Sequence, residues 1–386
     1  MKVIQINASY KPAFIYGGPT MSVSKLSEVL VNNNINLSVL TTRANGSEEL
    51  NVNLGKSILV DKVPVTYYKR ITKDHTHFSP ALYQALNHQL SVTARKADNI
   101  IVHIHTWWNL VSVISCLIAI LKNTTVVLSP RGTLSSYSFG NRNNLIKNII
   151  FRFSKPLFRR CHFHVTSENE KQAILSLVNP KSITNIPNLV SLPEVIPRHT
   201  TAKDEQEPLK LLFLSRIEQK KGLELLFEAL KDLNLNYTLT IGGTGDQAYI
   251  NSLQSHSKAL EIDHKISWIG HQSSDKKFDL MAAHHLLVLP SYDENFANVV
   301  VESLASGTAV LVTENVGLSD YVKANEFGWV CKFDKEDLRN SLLQAGSDNQ
   351  KLESIRNTAP EKIRRDFSDS EVCKQYIEMY KQALGR

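Results

Sequence analysis

The residues of this chain best equipped for chemistry are two carboxylates, Glu294 and Glu302, with seven residues between them, and two cations, Arg216 and Lys221, with four between them. Carboxylates accept hydrogen bonds from vicinal hydroxyls, and two cations on one loop suit a diphosphate. Charge-assisted bonds shielded from water contribute roughly 1.5–3 kcal/mol each. The stretch from Pro290 to Gly307 reads as a strand end, a polar loop and a helix, because Leu286–Leu289 is apolar and Gly307 suits the position just past a helix end. Glu294 then falls in the loop and Glu302 about one turn into the helix, with the helix-start N–H groups between them, where an anion binds. The arrangement outlines a site for a nucleotide sugar. Taken alone, Arg216 and Lys221 also read as a solvated basic turn, and Lys220 as exposed. Lys221 and Glu302 are both expected at exposed strand ends.

The elements that must position these groups are legible as alternating apolar runs and helical patterns. Buried-strand runs fall near residues 3–7, 37–42, 63–68, 100–105, 125–129 and 163–166, then 209–215, 237–242, 265–270, 286–290, 309–313 and 329–332. Strands separated by helices imply parallel sheets covered on both faces. With 386 residues, 42% of them hydrophobic, the chain is long enough for two domains. Residues 191–208 hold Pro193, Pro197, Pro208 and the charged run 203–207, which reads as a linker. The expected fold is α/β: two doubly wound Rossmann-like domains facing across a cleft, 1–195 with 370–386 and 205–369, the last helix crossing back to the first domain. In such sheets ligands bind at the carboxyl ends of the strands.

A formal charge of +7 favours anionic partners without choosing among them. No nucleic-acid motif accompanies the charge, so nucleic acid is not an expected partner. The four cysteines, Cys116, Cys161, Cys331 and Cys373, are far apart and read as buried thiols of a reducing compartment. The start of the chain reads as a strand and not as a secretory signal, and the apolar run Leu110–Leu121 is short of the ~20 residues a membrane span needs. A cytoplasmic location follows as the expectation, with contact at the inner face of the membrane left open.

Four further motifs lie at strand ends. Gly243-Thr244-Gly245 formally fits part of a dinucleotide fingerprint, but on the second strand of its unit and with no acid at the end of the next, so Gly243 reads as a tight turn bordering a nucleotide. Gly17-Gly18 precedes a helix expected over Met21–Asn32 and lets backbone approach a ligand; a flexible turn is the alternative. His105 ends a strand with His103 on the same face, and is expected to point into the cleft. Arg131, in Ser129-Pro130-Arg131-Gly132 with Tyr137 and Arg142 nearby, is either an anion-binding or a plain surface arginine. From Leu145 to Phe158, apolar residues recur at helical spacing among Lys147, Arg152, Lys155, Arg159 and Arg160. That is a helix packed on the first sheet, a basic face on anionic lipid, or both.

Together these motifs resemble the retaining family 4 glycosyltransferases of GT-B fold, over nearly the whole chain; Ser129–Gly132 resembles enzymes of bacterial surface-polysaccharide synthesis. The resemblance rests on Arg216 with Lys221-Gly222, on Glu294-x7-Glu302, on Ala305-Ser306-Gly307-Thr308 and Gly317, and on Gly17-Gly18 and His105. It implies that the second domain binds a UDP- or GDP-sugar and the first a glycan or lipid-linked glycan acceptor, and that a hexose-type sugar passes to an acceptor hydroxyl. Arg216, Lys221, Glu294 and His105 are then expected at the reacting centre. Gly17, Gly18, Gly243, Asn295, Phe296, Ala297, Asn298 and Glu302 complete the donor site, without a metal or other cofactor. Ala297 departs from the family, which has glycine there, and this bears on the local backbone or on the size of the donor. Other readings are a nucleotide-sugar epimerase or phosphorylase on the same scaffold, or a non-catalytic partner subunit. A phosphorylase should show a cofactor-lysine motif, which is missing, and a non-catalytic subunit should have lost one of Arg216, Lys221, Glu294 and Glu302.

Overall fold

Valine-, isoleucine- and leucine-rich runs form the strands, and where both faces are covered the burial is unbroken, as in Ile100–His105 and Ala309–Thr313. The computed structural model describes all residues except 94–98, 136, 139–143, 196 and 198–206. Arg142 and residues 203–206 of the charged run thus lie outside the described residues. The chain divides into two compact units, Met1–Leu189 with Asp369–Arg386, and Val190–Ser368.

In the first unit the strands are β1 (Lys2–Ile6), β2 (Asn36–Thr42), β3 (Ala44–Asn45), β4 (Glu48–Glu49), β5 (Ser57–Val60), β6 (Val63–Tyr68), β7 (Ile100–His105), β8 (Thr125–Ser129), β9 (His162–Val165) and β10 (Ser182–Asn185). Eight of them form one sheet in the order β10-β9-β8-β7-β1-β2-β6-β5, parallel except for β5 against β6. Strand order reverses between β1 and β7, which makes this pair the topological switch point. Alternate residues feed the two faces: Ile4, Val102 and Ile104 pack on one side, Val3, Ile101 and Val127 on the other. The second face is covered by the helices Gly18–Asn32 and Asp369–Ala383, the latter burying Val372, Tyr376, Met379 and Tyr380. The C-terminal helix therefore returns to the first unit, as expected.

In the second unit, β11 (Leu209–Leu214), β12 (Tyr237–Gly242), β13 (Ile266–Gly270), β14 (Leu286–Leu289), β15 (Ala309–Thr313) and β16 (Gly328–Cys331) form an all-parallel sheet in the order β13-β12-β11-β14-β15-β16. Its switch point lies between β11 and β14. One continuous core joins this sheet to helices on both faces, including Leu223–Lys231 and Asn298–Ala305.

The sequence reading overlooked β5, β10 and the short β3–β4 ribbon. β5 and β10 are edge strands with part-exposed residues, so they lack a buried run. The first helix begins at Gly18, three residues earlier than expected, because Pro19 is tolerated in a first helical turn. All four cysteines are free and buried.

Candidate active site

The switch point of the second unit collects the charged residues. Arg216 and Lys221 lie on the loop after β11, Glu294 on the loop after β14. The two loops are fastened together: Tyr292 N–H donates to the Lys220 carbonyl at 2.8 Å. Gly222 sits in the left-handed region at φ 73°, and a Cβ there would stand 2.0 Å from the Pro290 carbonyl oxygen. Only glycine permits that approach. On its far side the Glu294 loop is held by Glu294 N–H to Asn315 O at 3.2 Å and Gly317 N–H to Glu294 O at 2.8 Å.

This clamp brings the Lys221 ammonium onto Glu294 Oε2 as a hydrogen-bonded ion pair, their side chains only 8% and 19% exposed. Burial alone would raise the Glu294 pKa. The Lys221 charge, joined by Lys220 and Arg216, outweighs it and holds the carboxyl below its ordinary value. Arg216 is half exposed and reaches Glu218 Oε1 at 2.7 Å. Glu302, the fifth residue of the helix Asn298–Ala305, is paired through Oε1 with Lys277 Nζ at 2.7 Å; their side chains are 13% and 17% exposed. The expectation that Lys221 and Glu302 stand exposed is therefore corrected. Each charge is tolerated under cover because it has an opposite partner.

The glycines after β12 have a different task from that of a dinucleotide fingerprint. A Cβ on Gly243 would lie 1.8 Å from Ser215 O, and one on Gly245 2.2 Å from Ile217 O. With Ile217 N–H donating to Thr244 O at 2.8 Å, they form the flat backbone surface against which the Arg216 loop packs.

Ala297, buried just before the helix Asn298–Ala305, keeps a glycine-like φ of 71°. The departure from glycine thus leaves the backbone conformation in place and adds strain, since a left-handed non-glycine residue costs about 1–2 kcal/mol. Ala297→Gly is expected to stabilise the second unit by about 1 kcal/mol, read as a higher thermal midpoint. An unchanged or lower midpoint would contradict it.

In the first unit, Gly17 and Gly18 follow β1 and His105 ends β7, so both flank that unit's switch point. Gly17 has φ 65°, and a Cβ on Gly18 would meet nothing within 4 Å. His105, expected to point into a cleft, is fully buried, its ring 4.1 Å from that of His103. Burial, aided by His103, Arg131 and His164, pushes its pKa well down, so it is neutral. Its Nδ1 accepts from Arg131 Nε–H at 3.3 Å, which places the proton on Nε2, a buried donor without a partner among the described residues.

Arg131 is neither a free anion site nor a plain surface arginine. Held at φ 52°, it also donates to Ser22 Oγ at 3.0 Å and Asn188 Oδ1 at 2.7 Å. The adjacent Gly132 N–H is held by the buried Glu170 at 2.7 Å. Beneath lies a polar network: His103 Nδ1 to Tyr380 Oη, His103 Nε2 to Ser129 Oγ and Ser129 Oγ to His164 Nδ1, each 2.7 Å, and His164 Nε2 to Tyr376 Oη at 3.0 Å. Asn295, Phe296 and Asn298 all lie in the segment that joins Glu294 to the helix Asn298–Ala305; Phe296 is buried against Phe367. Among the described residues no group of three or more His, Cys, Asp or Glu is placed to hold a metal.

Sequence reasoning missed Lys277, which stands next to Lys276 with no motif spacing, and the His164–Tyr376–Tyr380 contacts. The alternation of His103 with His105 and of His162 with His164 was the available signal for the latter.

Two doubly wound parallel sheets, each with polar loops at its switch point and the C-terminal helix returned to the first, define a GT-B glycosyltransferase. The chain belongs to the group 1 and family 4 glycosyltransferases: the family described as Glycosyltransferase Family 4 matches residues 16–193, and that described as Glycosyl transferases group 1 matches residues 198–362. An uncharacterized glycosyltransferase of Methanocaldococcus jannaschii is 24% identical over 100% of this chain and 99% of its own. Further relatives align over 39–58% of their own length. Among solved structures, Anabaena HepE in complex with UDP-glucose superposes with a TM-score of 0.71 at 16% identity, covering 99% of this chain and 100% of that one. The lipopolysaccharide outer core galactosyltransferase WaaB superposes with a TM-score of 0.68 at 17% identity, covering 99% of each. At such identities the likeness concerns the fold.

Proposed function

We propose that this glycosyltransferase moves a hexose-type sugar from a UDP- or GDP-sugar to a hydroxyl of a lipid-linked glycan, with retention of anomeric configuration, in bacterial surface-polysaccharide synthesis. The observation that carries this reading is the Lys221–Glu294 pair beside Arg216 at the switch point of the second sheet. That HepE has been captured with UDP-glucose, and that WaaB is a lipopolysaccharide galactosyltransferase, supports the choice of donor and pathway class.

In this reading Arg216 and Lys221 hold the diphosphate, Glu302 takes ribose hydroxyls, and Glu294 takes hydroxyls of the sugar. The acceptor oxygen attacks the anomeric carbon on the face from which the diphosphate departs. As the carbon–oxygen bond to the diphosphate breaks, a phosphate oxygen takes the acceptor's proton. Charge stabilisation and positioning then supply the rate.

Incubation with a panel of UDP- and GDP-sugars tests the reading. One donor should raise the thermal midpoint and, with a lipid-linked acceptor, release nucleoside diphosphate and give a product of unchanged anomeric configuration. A panel that neither shifts the midpoint nor turns over overturns it, and inverted product overturns the stereochemistry.

No helix among the described residues is long and apolar enough to cross a membrane. The helix Asn144–Phe158 and its end nevertheless expose Arg152, Phe153, Lys155, Arg159 and Arg160, with Phe153 76% exposed. That combination suits an anionic lipid surface. Sedimentation with anionic vesicles should weaken as salt rises; absence of sedimentation at low salt removes this element.

A further inference from the structure

We infer that Lys277 is the positioning residue that fixes Glu302 for recognition of the donor's ribose. The inference deepens the proposed nucleotide site and rests on that reading. Lys277 lies on the helix Ser274–Ala282, an element of the second unit with no other charged residue of the site. Its Nζ donates to Glu302 Oε1 at 2.7 Å, and it is the only partner of that carboxylate's side chain among the described residues. Oε1 is therefore anchored, while Oε2 is left to accept from an incoming hydroxyl.

The physical need for the anchor follows from burial. A carboxylate this well covered and without a cation would turn toward water to keep its charge solvated, and would lose its acceptor geometry. The same device holds Glu294, whose Oε2 is taken by Lys221. In both pairs one oxygen is fixed by a lysine from a neighbouring segment and one remains available. A fixed, ionised acceptor discriminates strongly for a ligand hydroxyl over its absence, because the bond it forms is charge-assisted.

The experiment is calorimetric titration of the full chain with UDP and with GDP, then with the 2′-deoxy form of whichever binds. Wild type is expected to prefer the ribonucleotide by about tenfold or more. Lys277→Met should bring the two affinities to within about threefold, by weakening the ribonucleotide and leaving the deoxy form unchanged, with Lys277→Arg restoring most of the preference. In a Glu302→Gln background, Lys277→Met should add nothing further. Retained preference in Lys277→Met overturns the inference, and so does equal loss for both nucleotides, which marks a phosphate-binding or purely structural lysine. Wild type that binds neither UDP nor GDP is a different failure, that of the nucleotide reading itself. Thermal unfolding of each variant separates misfolding from a local effect, and the Arg variant keeps the test open if Lys277→Met does not fold.

Discussion

Lys221→Ala is expected to slow sugar transfer by at least ~10²-fold and to lower the thermal stability of the second unit at the same time. The first effect is that of removing a cation aimed at the departing diphosphate. The second comes from Glu294, whose carboxylate is left mostly covered with the cation hydrogen-bonded to it gone. Stranding one partner of a buried pair costs about 3–5 kcal/mol, and the partial exposure of Glu294 reduces this to about 2–4 kcal/mol. Stability and transfer separate in the double variant Lys221→Met, Glu294→Gln, which should recover most of the midpoint and none of the activity. The pH dependence adds a sign. In wild type the folded-state pKa of Glu294 is depressed, so its contribution is present above the unfolded value of ~4.3 and is lost as pH falls through the lower folded value. Without Lys221, burial is opposed only by the more distant Lys220 and Arg216, so acid sensitivity should move to higher pH. A Lys221→Ala enzyme with wild-type rate would remove the diphosphate assignment; one with wild-type stability would show that the pair contributes little to the fold.

The second large effect expected is acid lability of the first unit. His103 and His164 are buried against Tyr380 and Tyr376 of the C-terminal helix, His105 lies against His103, and the Arg131 charge faces all three from the β8 loop. Burial first, then the neighbouring charges, pushes all three pKa values down, that of His164 to about 3. Because the folded state holds them neutral, their contribution is complete above the unfolded pKa of ~6.5 and declines as pH falls below it, for His164 down to about 3. At pH 5 that is about 2 kcal/mol for His164, from 1.4 kcal/mol per pH unit, and His103 and His105 act in the same direction. The midpoint of the first unit should therefore drop steeply between pH 6.5 and 5, and His164→Gln should flatten the slope. Equal slopes in wild type and variant would show that the network does not set the acid limit.

How much of this could be read from the residues alone differs between elements. Central strands such as β14 and β15 are covered on both faces and so are written as near-continuous apolar runs; edge strands such as β5 and β10 are not. The carboxylates and cations of the second unit stood out because glycine and proline punctuate their loops at fixed offsets. What could not be read was the coverage of each charge, since burial depends on which neighbour folds over it. Lys277 meets Glu302 only because two helices, 25 residues apart in sequence at the contact, pack side by side. His103 and Arg131 were legible as polar residues at or near strand ends, but their surroundings depend on the C-terminal helix, more than 200 residues downstream.

The contact of Gly222 with the Pro290 carbonyl has a consequence for how donor preference can change. With no room for a side chain between them, the segments bearing Lys221 and Glu294 form a single plate, and a shift in one drags the other along. Widening the space for a bulkier hexose by bending either segment would loosen the hold on phosphate too. New donor preferences in this scaffold should therefore arise by exchange of side chains around a stationary plate, at positions such as Asp293 and Asn295, while the glycine and the proline stay as they are.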